Sequence, residues 1–112
     1  MGITKSDIYN TSQNEIASIA KVIGHPARVA IIQYLIKSKS CICGDLVEEI
    51  GLAQPTISQH LKELKNIGII KGSIEGTSVC YCIDDSQWVA YKSILQSFLN
   101  SYTPAIDSDD CC

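Results

Sequence analysis

The spacing of apolar residues changes once along the chain, and this change constrains the fold more than any other feature. Up to residue 66, apolar residues recur every three to four positions, which is typical of amphipathic helices. Between residues 69 and 83 they alternate with polar residues around Gly76-Thr77, which is typical of two strands joined by a tight turn. A last helical pattern follows residue 84. The sequence therefore predicts a mainly α fold with a small antiparallel β-hairpin.

Gly and Pro residues divide the helical part into separate helices. The first is predicted from Ser12 to a stop at Gly24, and Pro26 suits the first turn of the second. A short element covers residues 44–50, and a fourth helix runs from about Gln54 to Asn66. The predicted order is α-α-α-α-β-β-α, a winged helix-turn-helix. The predicted buried stripe of the second helix is Val29, Ile32, Leu35 and Ile36.

Length and charge favour one domain with an acidic end. The chain has 112 residues and a net charge of −3, and a single domain commonly holds about 100–200 residues. Residues 1–83 carry eight basic and seven acidic side chains, whereas residues 84–112 carry one basic and five acidic side chains. We expect residues 1–102 to form a single domain and residues 103–112 to form a flexible, acidic, Cys-containing tail.

Several classes of protein are disfavoured by what the sequence lacks. No apolar run approaches the roughly 18 residues that span a bilayer, and the first residues have no apolar signal-peptide core. No Gly-rich phosphate loop, Ser/His/Asp set or pair of catalytic carboxylates is present. We therefore expect a cytoplasmic protein that is not an enzyme and has no membrane partner.

The segment around Gly51-Leu52-Ala53 joins two short helices into a candidate helix-turn-helix. Apolar residues at helical spacing anchor one side of the second helix, while short polar side chains and one lysine cover the other. Such side chains suit the major groove of DNA, although every amphipathic helix has a polar face. The anchoring residues are Ile57, Leu61 and Leu64, and the polar ones are Gln54, Thr56, Ser58, Gln59, Lys62 and Asn66.

Two stretches resemble the arsenical-repressor (ArsR/SmtB-type) family of winged-helix regulators. They are LAQPTISQHLKELKNIGIIKG at residues 52–72 and GHPARVAIIQYL at residues 24–35, and the resemblance covers about residues 16–100. It implies a homodimer that binds double-stranded operator DNA and is released by a metal or metalloid. By this resemblance the DNA-facing residues of the recognition helix are Gln54, Thr56, Ser58, Gln59 and Lys62. The hairpin would be the wing, with Lys71 at its base and Gly76 and Thr77 at its tip.

Three further features bear on this comparison. Ala53 stands where the family often has Ser or Thr, so the recognition helix lacks a side-chain cap that is typically worth about 1 kcal/mol. His60 lies near the apolar side, and we interpret it as a packed or phosphate-touching residue rather than a metal ligand.

The helices near residues 12–23 and 86–102 carry surplus apolar residues, which a dimer would bury. Those of the last helix are Trp88, Tyr91, Phe98 and Tyr102.

The six cysteines occur in three pairs. Clustered thiols in a reducing compartment indicate metal binding or reactivity before disulfides. Cys41 and Cys43 resemble the family's arsenic box, with Gly44 inserted and Val47 in place of a third Cys. A three-thiolate site then needs another donor. The candidates are Cys111 and Cys112 on the tail, and secondly Cys80 and Cys82 on one face of a strand; each pair is alternatively structural or unselected.

Together these features predict a homodimeric repressor that leaves its operator when a thiophilic metalloid binds cysteine thiolates. Soft thiolate ligands favour trivalent arsenic or antimony, with other soft metals such as Cd or Cu(I) as further inducers. No cofactor is required for DNA binding. One alternative is a thiol-based redox or persulfide sensor with the same fold. Another is a thiol-rich protein that sequesters metal.

Overall fold

A computed structural model describes residues 8–39, 41–43, 46–73 and 80–105 of the chain, without the side chains of Cys43, Val47 and Glu48. Within these ranges no single helix is long and apolar enough to cross a membrane; only the helices Thr11–Ile23 and Pro26–Ser38 taken together, bent by 84°, meet that criterion. The elements are α1 (Thr11–Ile23), α2 (Pro26–Ser38), β1 (Ile42–Cys43), α3 (Val47–Ile50), α4 (Gln54–Asn66), β2 (Ile70–Ser73), β3 (Cys80–Ile83) and α5 (Asp85–Asn100).

Three of the helices, α1, α2 and α5, begin where a side chain supplies a cap. Asn10 and Gln13 form a reciprocal capping box at the start of α1. At the start of α2, His25 Nδ1 accepts a hydrogen bond from the Ala27 N–H at 3.1 Å, and Pro26 occupies the first turn. Asp84 caps α5 by accepting from the Gln87 N–H at 3.2 Å. These local signals explain why the predicted helices and the mainly α fold are confirmed.

The core lies between α2, α4 and the sheet. It buries Val22, Ile31, Ile32, Leu35, Leu46, Ile57, Leu61, Leu64, Ile69, Ile70 and Tyr81. The predicted stripe of α2 is therefore half correct, because Ile32 and Leu35 are buried whereas Val29 is 42% exposed and Ile36 is 49% exposed. The core side of α2 is centred on Ile31, so Val29 and Ile36 flank it and face outward.

The sheet contains one more strand than the hairpin that the sequence predicts. Its order is β1-β3-β2, and both pairings are antiparallel. Strand β1 pairs Ile42 with Tyr81 and Cys43 with Cys80. The cysteines of the first Cys-x-Cys motif, Cys41 and Cys43, are not part of the first motif helix. Both precede α3, and Cys43 lies in β1 at the edge of the sheet.

Gly72 allows β2 and β3 to approach closely. Its φ of +126° is a backbone conformation that residues with a side chain rarely adopt. A Cβ at this position would also collide with the carbonyl oxygen of Cys80. Gly72 lies opposite Tyr81 in the register, so this contact holds the wing strand against the buried Tyr81.

The last helix shows two different apolar surfaces. Trp88 and Tyr91 pack partly against the core, and the Tyr91 hydroxyl donates a hydrogen bond to the carbonyl of Ile67. Phe98 and Tyr102 are 52% and 73% exposed. The sequence-based expectation of an exposed apolar surface therefore holds for Phe98 and Tyr102 but not for Trp88 and Tyr91.

The uncapped start of α4 can be tested by restoring a hydroxyl. Ala53 has extended backbone angles and makes no side-chain cap bond; its carbonyl alone accepts from the N–H groups of Thr56 and Ile57. Ala53→Ser should supply an acceptor for the Thr56 N–H and raise the free energy of unfolding by about 1 kcal/mol. Urea titration measures this change. Ala53→Val, which has no hydroxyl, serves as the control, and equal stabilities of the two variants would contradict the capping argument.

Candidate DNA interface and cysteine site

The two faces of α4 are sharply different. Ile57, Leu61 and Leu64 are each at most 1% exposed, which confirms the predicted anchoring side. The other side presents polar groups to solvent, and two pairs on it are ordered by hydrogen bonds. Gln54 Nε2 donates to Ser58 Oγ at 3.1 Å, and Gln59 Nε2 donates to Glu63 Oε1 at 3.2 Å. Thr56 and Lys62 are also exposed.

A tight turn sets the two motif helices at their angle. Gly51 follows α3 with a φ of +82°, and nothing lies within 4 Å of where its Cβ would be. Its role is therefore conformational, since a left-handed backbone is costly for residues other than Gly. The described chain thus forms a helix-turn-helix whose second helix exposes Gln54, Thr56, Gln59 and Lys62, while Ser58 is half-buried.

His60 is a packed residue on the buried side of α4, as the sequence predicts. It is 8% exposed, its Nδ1 accepts from Arg28 Nε at 3.1 Å, and its ring centroid lies 4.5 Å from that of His25. Arg28 also donates to the Val22 carbonyl at 3.0 Å. Arg28 therefore ties α4 to α1, a supporting role that sequence reasoning missed because nothing local to Arg28 indicates these distant partners.

Burial lowers the pKa of His60 below its ordinary value of 6.5, and the charges of His25 and Arg28 lower it further. The neutral form is the one that accepts from Arg28. The imidazole of His60 is therefore neutral on the core-facing side of α4.

The wing residues are only partly described. Gly76 and Thr77 lie outside the described residues. Lys71 lies on β2 and is exposed, directly opposite Cys82 in the register. This position puts Lys71 beside the cysteines described next, and its predicted contact with DNA stays a prediction.

The antiparallel register brings the two Cys-x-Cys motifs together. Cys43 is opposite Cys80 in the β1–β3 ladder, so Cys41 comes opposite Cys82. The structure joins Cys41 and Cys82 by a disulfide with a Cα–Cα distance of 4.2 Å, and Cys80 is disulfide-bonded as well. Equal spacing in the two motifs was the signal for this pairing, but it is visible only once β1 is known to exist.

The predicted donor set is thus only partly assembled. Cys111 and Cys112 lie outside the described residues, so their predicted role is not tested. Cys80 and Cys82, the second choice from the sequence, are the cysteines that lie across from Cys41 and Cys43. Within the ranges that the structure describes, no three His, Cys, Asp or Glu side chains are arranged to hold a metal ion.

A winged helix-turn-helix with an exposed polar recognition helix defines a DNA-binding regulator, and comparison with known proteins identifies its family. The profile of the bacterial regulatory protein, arsR family, matches residues 25–71. The chain is 42% identical over 71 residues to an HTH-type transcriptional regulator of Methanocaldococcus jannaschii, which covers 62% of this chain and 79% of that protein. The chain belongs to the ArsR family of transcriptional regulators and is not an enzyme.

Two further relatives of known sequence are matched over smaller shares of their length, and a solved structure is matched over the whole of its chain. The Biofilm growth-associated repressor of Xylella fastidiosa is 33% identical over 69 residues, which is 62% of this chain and 59% of the repressor. The Cadmium resistance transcriptional regulatory protein CadC homolog of Staphylococcus aureus is 34% identical over 82 residues, 72% of this chain and 67% of the homolog. The crystal structure of the transcriptional repressor BigR from Xylella fastidiosa has a TM-score of 0.58 and 25% identity, and covers 91% of this chain and 100% of its own.

The neutral state of His60 predicts how stability depends on pH. As pH falls, the unfolded chain takes up the proton on this histidine first, near 6.5, because the pKa is lower in the folded state. This contribution to stability is therefore complete above about pH 6.5 and is lost as pH falls through the folded-state pKa. Chemical unfolding between pH 8 and 5 should show this loss, and His60→Gln should have a shallower slope.

The pKa of His60 itself can be measured by nuclear magnetic resonance. Because the chain has two histidines, the His60→Gln variant identifies which ring signal belongs to His60. The ring signal that disappears in His60→Gln should titrate below 6.5. A midpoint at or above 6.5 would contradict the buried, neutral assignment.

Proposed function

We propose that the protein is a homodimeric, cytoplasmic transcriptional repressor that leaves its operator when trivalent arsenic or antimony binds its cysteine thiolates. The observation that carries the proposal is the register of β1 and β3, which sets the two Cys-x-Cys motifs opposite each other at the edge of the DNA-reading unit.

DNA contact is proposed for the exposed side of α4. Amide side chains such as Gln54 and Gln59 can pair with adenine edges in the major groove. Lys62 and the hydroxyl groups of Thr56 and Ser58 suit phosphate oxygens. Burial of the opposite side of α4 supports this assignment, because it leaves a rigid helix with only its polar side available.

Dimer formation is proposed through the exposed apolar residues of α5. Val89, Phe98 and Leu99 are 65%, 52% and 69% exposed, and large apolar side chains grouped on one helix are typical of protein–protein contacts. A two-fold dimer presents two recognition helices to successive major grooves, about 34–36 Å apart. A palindromic operator is the expected partner.

Inducer binding is proposed for the reduced cysteines. Trivalent arsenic is thiophilic, and soft thiolates select it over hard oxygen ligands. When the Cys41–Cys82 bond is reduced, two thiols become available on neighbouring strands, with Cys80 two residues from Cys82. Cys43, by its register opposite Cys80, is the fourth cysteine of this strand pair. The name of the cadmium-resistance relative supports a soft-metal inducer for this chain.

Control by oxidation is the second candidate, and the Cys41–Cys82 disulfide favours it. The disulfide links residues 41 apart in sequence, and the segment between them contains α3, α4 and β2. Forming or breaking this bond therefore alters the constraint on the complete helix-turn-helix. If oxidation is the signal, an oxidant rather than a metalloid changes operator affinity.

Replacement of single α4 residues tests the DNA part. Lys62→Gln should weaken binding to all sequences similarly and reduce the magnitude of the salt slope by about 1, because one phosphate contact is lost. Gln59→Ala should instead cost about 1–3 kcal/mol on the operator and relax its sequence preference. Fluorescence anisotropy on the upstream DNA of its own coding sequence measures both. Lys21→Gln on α1 removes the same charge elsewhere, and an equal effect of this control would contradict the assignment.

Titration of the reduced protein on the same DNA tests the inducer. Micromolar arsenite should lower operator affinity at least tenfold, and Cys41→Ser/Cys82→Ser should abolish the response while leaving uninduced binding intact. The matched Cys111→Ser/Cys112→Ser variant should respond normally if the strand cysteines are sufficient. Unchanged binding of the wild-type protein with arsenite would reject the metalloid proposal, and release by peroxide alone would favour redox control.

A further inference from the structure

A solvent-accessible cleft opens beside the Cys41–Cys82 disulfide. Its volume is about 550 Å³, which is enough for a small organic molecule. The walls are the end of α2, the face of the sheet and the start of α5. The lining residues that matter for the argument are Lys39, Cys41, Lys71, Cys82, Asp85 and Trp88.

Three of these residues form a row across the sheet. Lys71 on β2 is opposite Cys82 on β3, and Cys82 is bonded to Cys41 beside β1. Directly opposite residues of an antiparallel pair project to the same face, with Cβ atoms about 4.5–5.5 Å apart. The Lys71 side chain therefore projects to the same face as Cys82, with its ammonium group within reach of the Cys82 sulfur, and this holds in either redox state because the β2–β3 pairing does not depend on the disulfide.

The two sulfurs of the disulfide are not equivalent. Cys41 is exposed, whereas Cys82 is half-buried between its two neighbouring strands. An incoming nucleophile therefore reaches Cys41 first. The sulfur that would leave, Cys82, is the one beside Lys71.

The charge of the cleft favours anions. Lys39 and Lys71 are set against the single carboxylate of Asp85 among the described lining residues. Lys39 adopts a left-handed backbone, φ 58°, at the C-terminal end of α2, and this places it at the cleft mouth next to Cys41. The result is a positively charged entrance to a cleft of mixed polar and apolar lining with a disulfide in its wall.

We infer that this cleft is a thiol-exchange site for a small anionic thiol. The incoming thiolate attacks Cys41 Sγ and forms a new S–S bond, while the Cys41–Cys82 bond breaks and its electron pair leaves on Cys82 beside Lys71. A second thiolate of the same kind then attacks the sulfur of the bound thiol, which releases the small-molecule disulfide and leaves Cys41 as a thiolate. Two electrons thus pass from two small thiols to the protein.

This inference rests on the proposed function in one respect. Cys41 and Cys82, which the small thiol reduces, are the same cysteines that are proposed to bind the inducer. The inference adds what the proposed function leaves open, namely which class of reductant prepares the sensor. Selectivity for anionic thiols comes from Lys39 and Lys71, and the direction of attack comes from the exposure of Cys41.

Three small thiols that differ in charge test the inference on the full-length oxidised protein. They are 3-mercaptopropionate (anionic), 2-mercaptoethanol (neutral) and cysteamine (cationic), with rate constants expressed per thiolate. The anionic thiol should react at least threefold faster than the cationic one at low salt, and the difference should shrink at high salt. Rates that do not depend on thiol charge would overturn the proposal.

Charge-removing variants locate the effect. Lys71→Gln and Lys39→Gln should each lower the anionic-to-cationic rate ratio about threefold. The matched control is Lys37→Gln, an exposed lysine two residues from Lys39 that does not line the cleft. An equal loss in Lys37→Gln would show that overall charge, not the cleft, sets the selectivity, and would overturn the assignment.

Peptide mapping identifies the sulfur that is attacked. After brief reaction and trapping with iodoacetamide, 3-mercaptopropionate should be found on Cys41 and the alkyl group on Cys82. The reverse pattern would overturn the proposed direction of attack. Operator binding of the same reduced samples with arsenite is measured separately, so failure of DNA release rejects the metalloid proposal while the exchange rates stand on their own.

Discussion

The burial of one side of α4 is the contact on which the rest of the structure depends. Ile57, Leu61 and Leu64 pack into a core that α2 and the sheet complete, and each fully buried side chain of this size contributes on the order of 1.5–3 kcal/mol. Rotation of α4 about its axis would expose these residues, so the polar side is held toward solvent. Arg28 and the neutral His60 reinforce this position from behind by linking α4 to α1. The DNA-reading surface is thus a consequence of core packing.

Strand β3 connects the two chemical parts of the molecule. Tyr81 of β3 is 1% exposed and belongs to the core beneath α4, while its neighbours Cys80 and Cys82 point to the opposite face, as the alternation of a strand requires. A change at the cysteines therefore acts on a strand that is packed, through Tyr81, against the same core as the recognition helix. This shared strand gives a physical route by which thiol chemistry can alter the geometry of DNA binding.

The helices could be predicted closely because their signals are local. Pro26 and Asn10 mark helix starts within a few residues of themselves, and the apolar period of α4 repeats over its full length Gln54–Asn66. Strand β1 could not be predicted in this way, since two residues have no measurable period and their partner lies far along the chain. The outward positions of Val29 and Ile36 were not predicted either, because they too depend on contacts with distant parts of the chain. Which flank of a broadly apolar helix faces the core depends on its neighbours, not on its own spacing.

Local patterns are sufficient to predict the family-type helix-turn-helix and the polar surface of its recognition helix, and they show three cysteine pairs. All of these depend on residues that are close in the chain. The pairing of Cys41 with Cys82, the position of Lys71 beside them and the neutral state of His60 follow instead from tertiary contacts. The partners in each case are more than ten residues apart, and the Cys41–Cys82 pair is separated by 41. Such contacts are set by strand register and core packing, which local patterns do not encode.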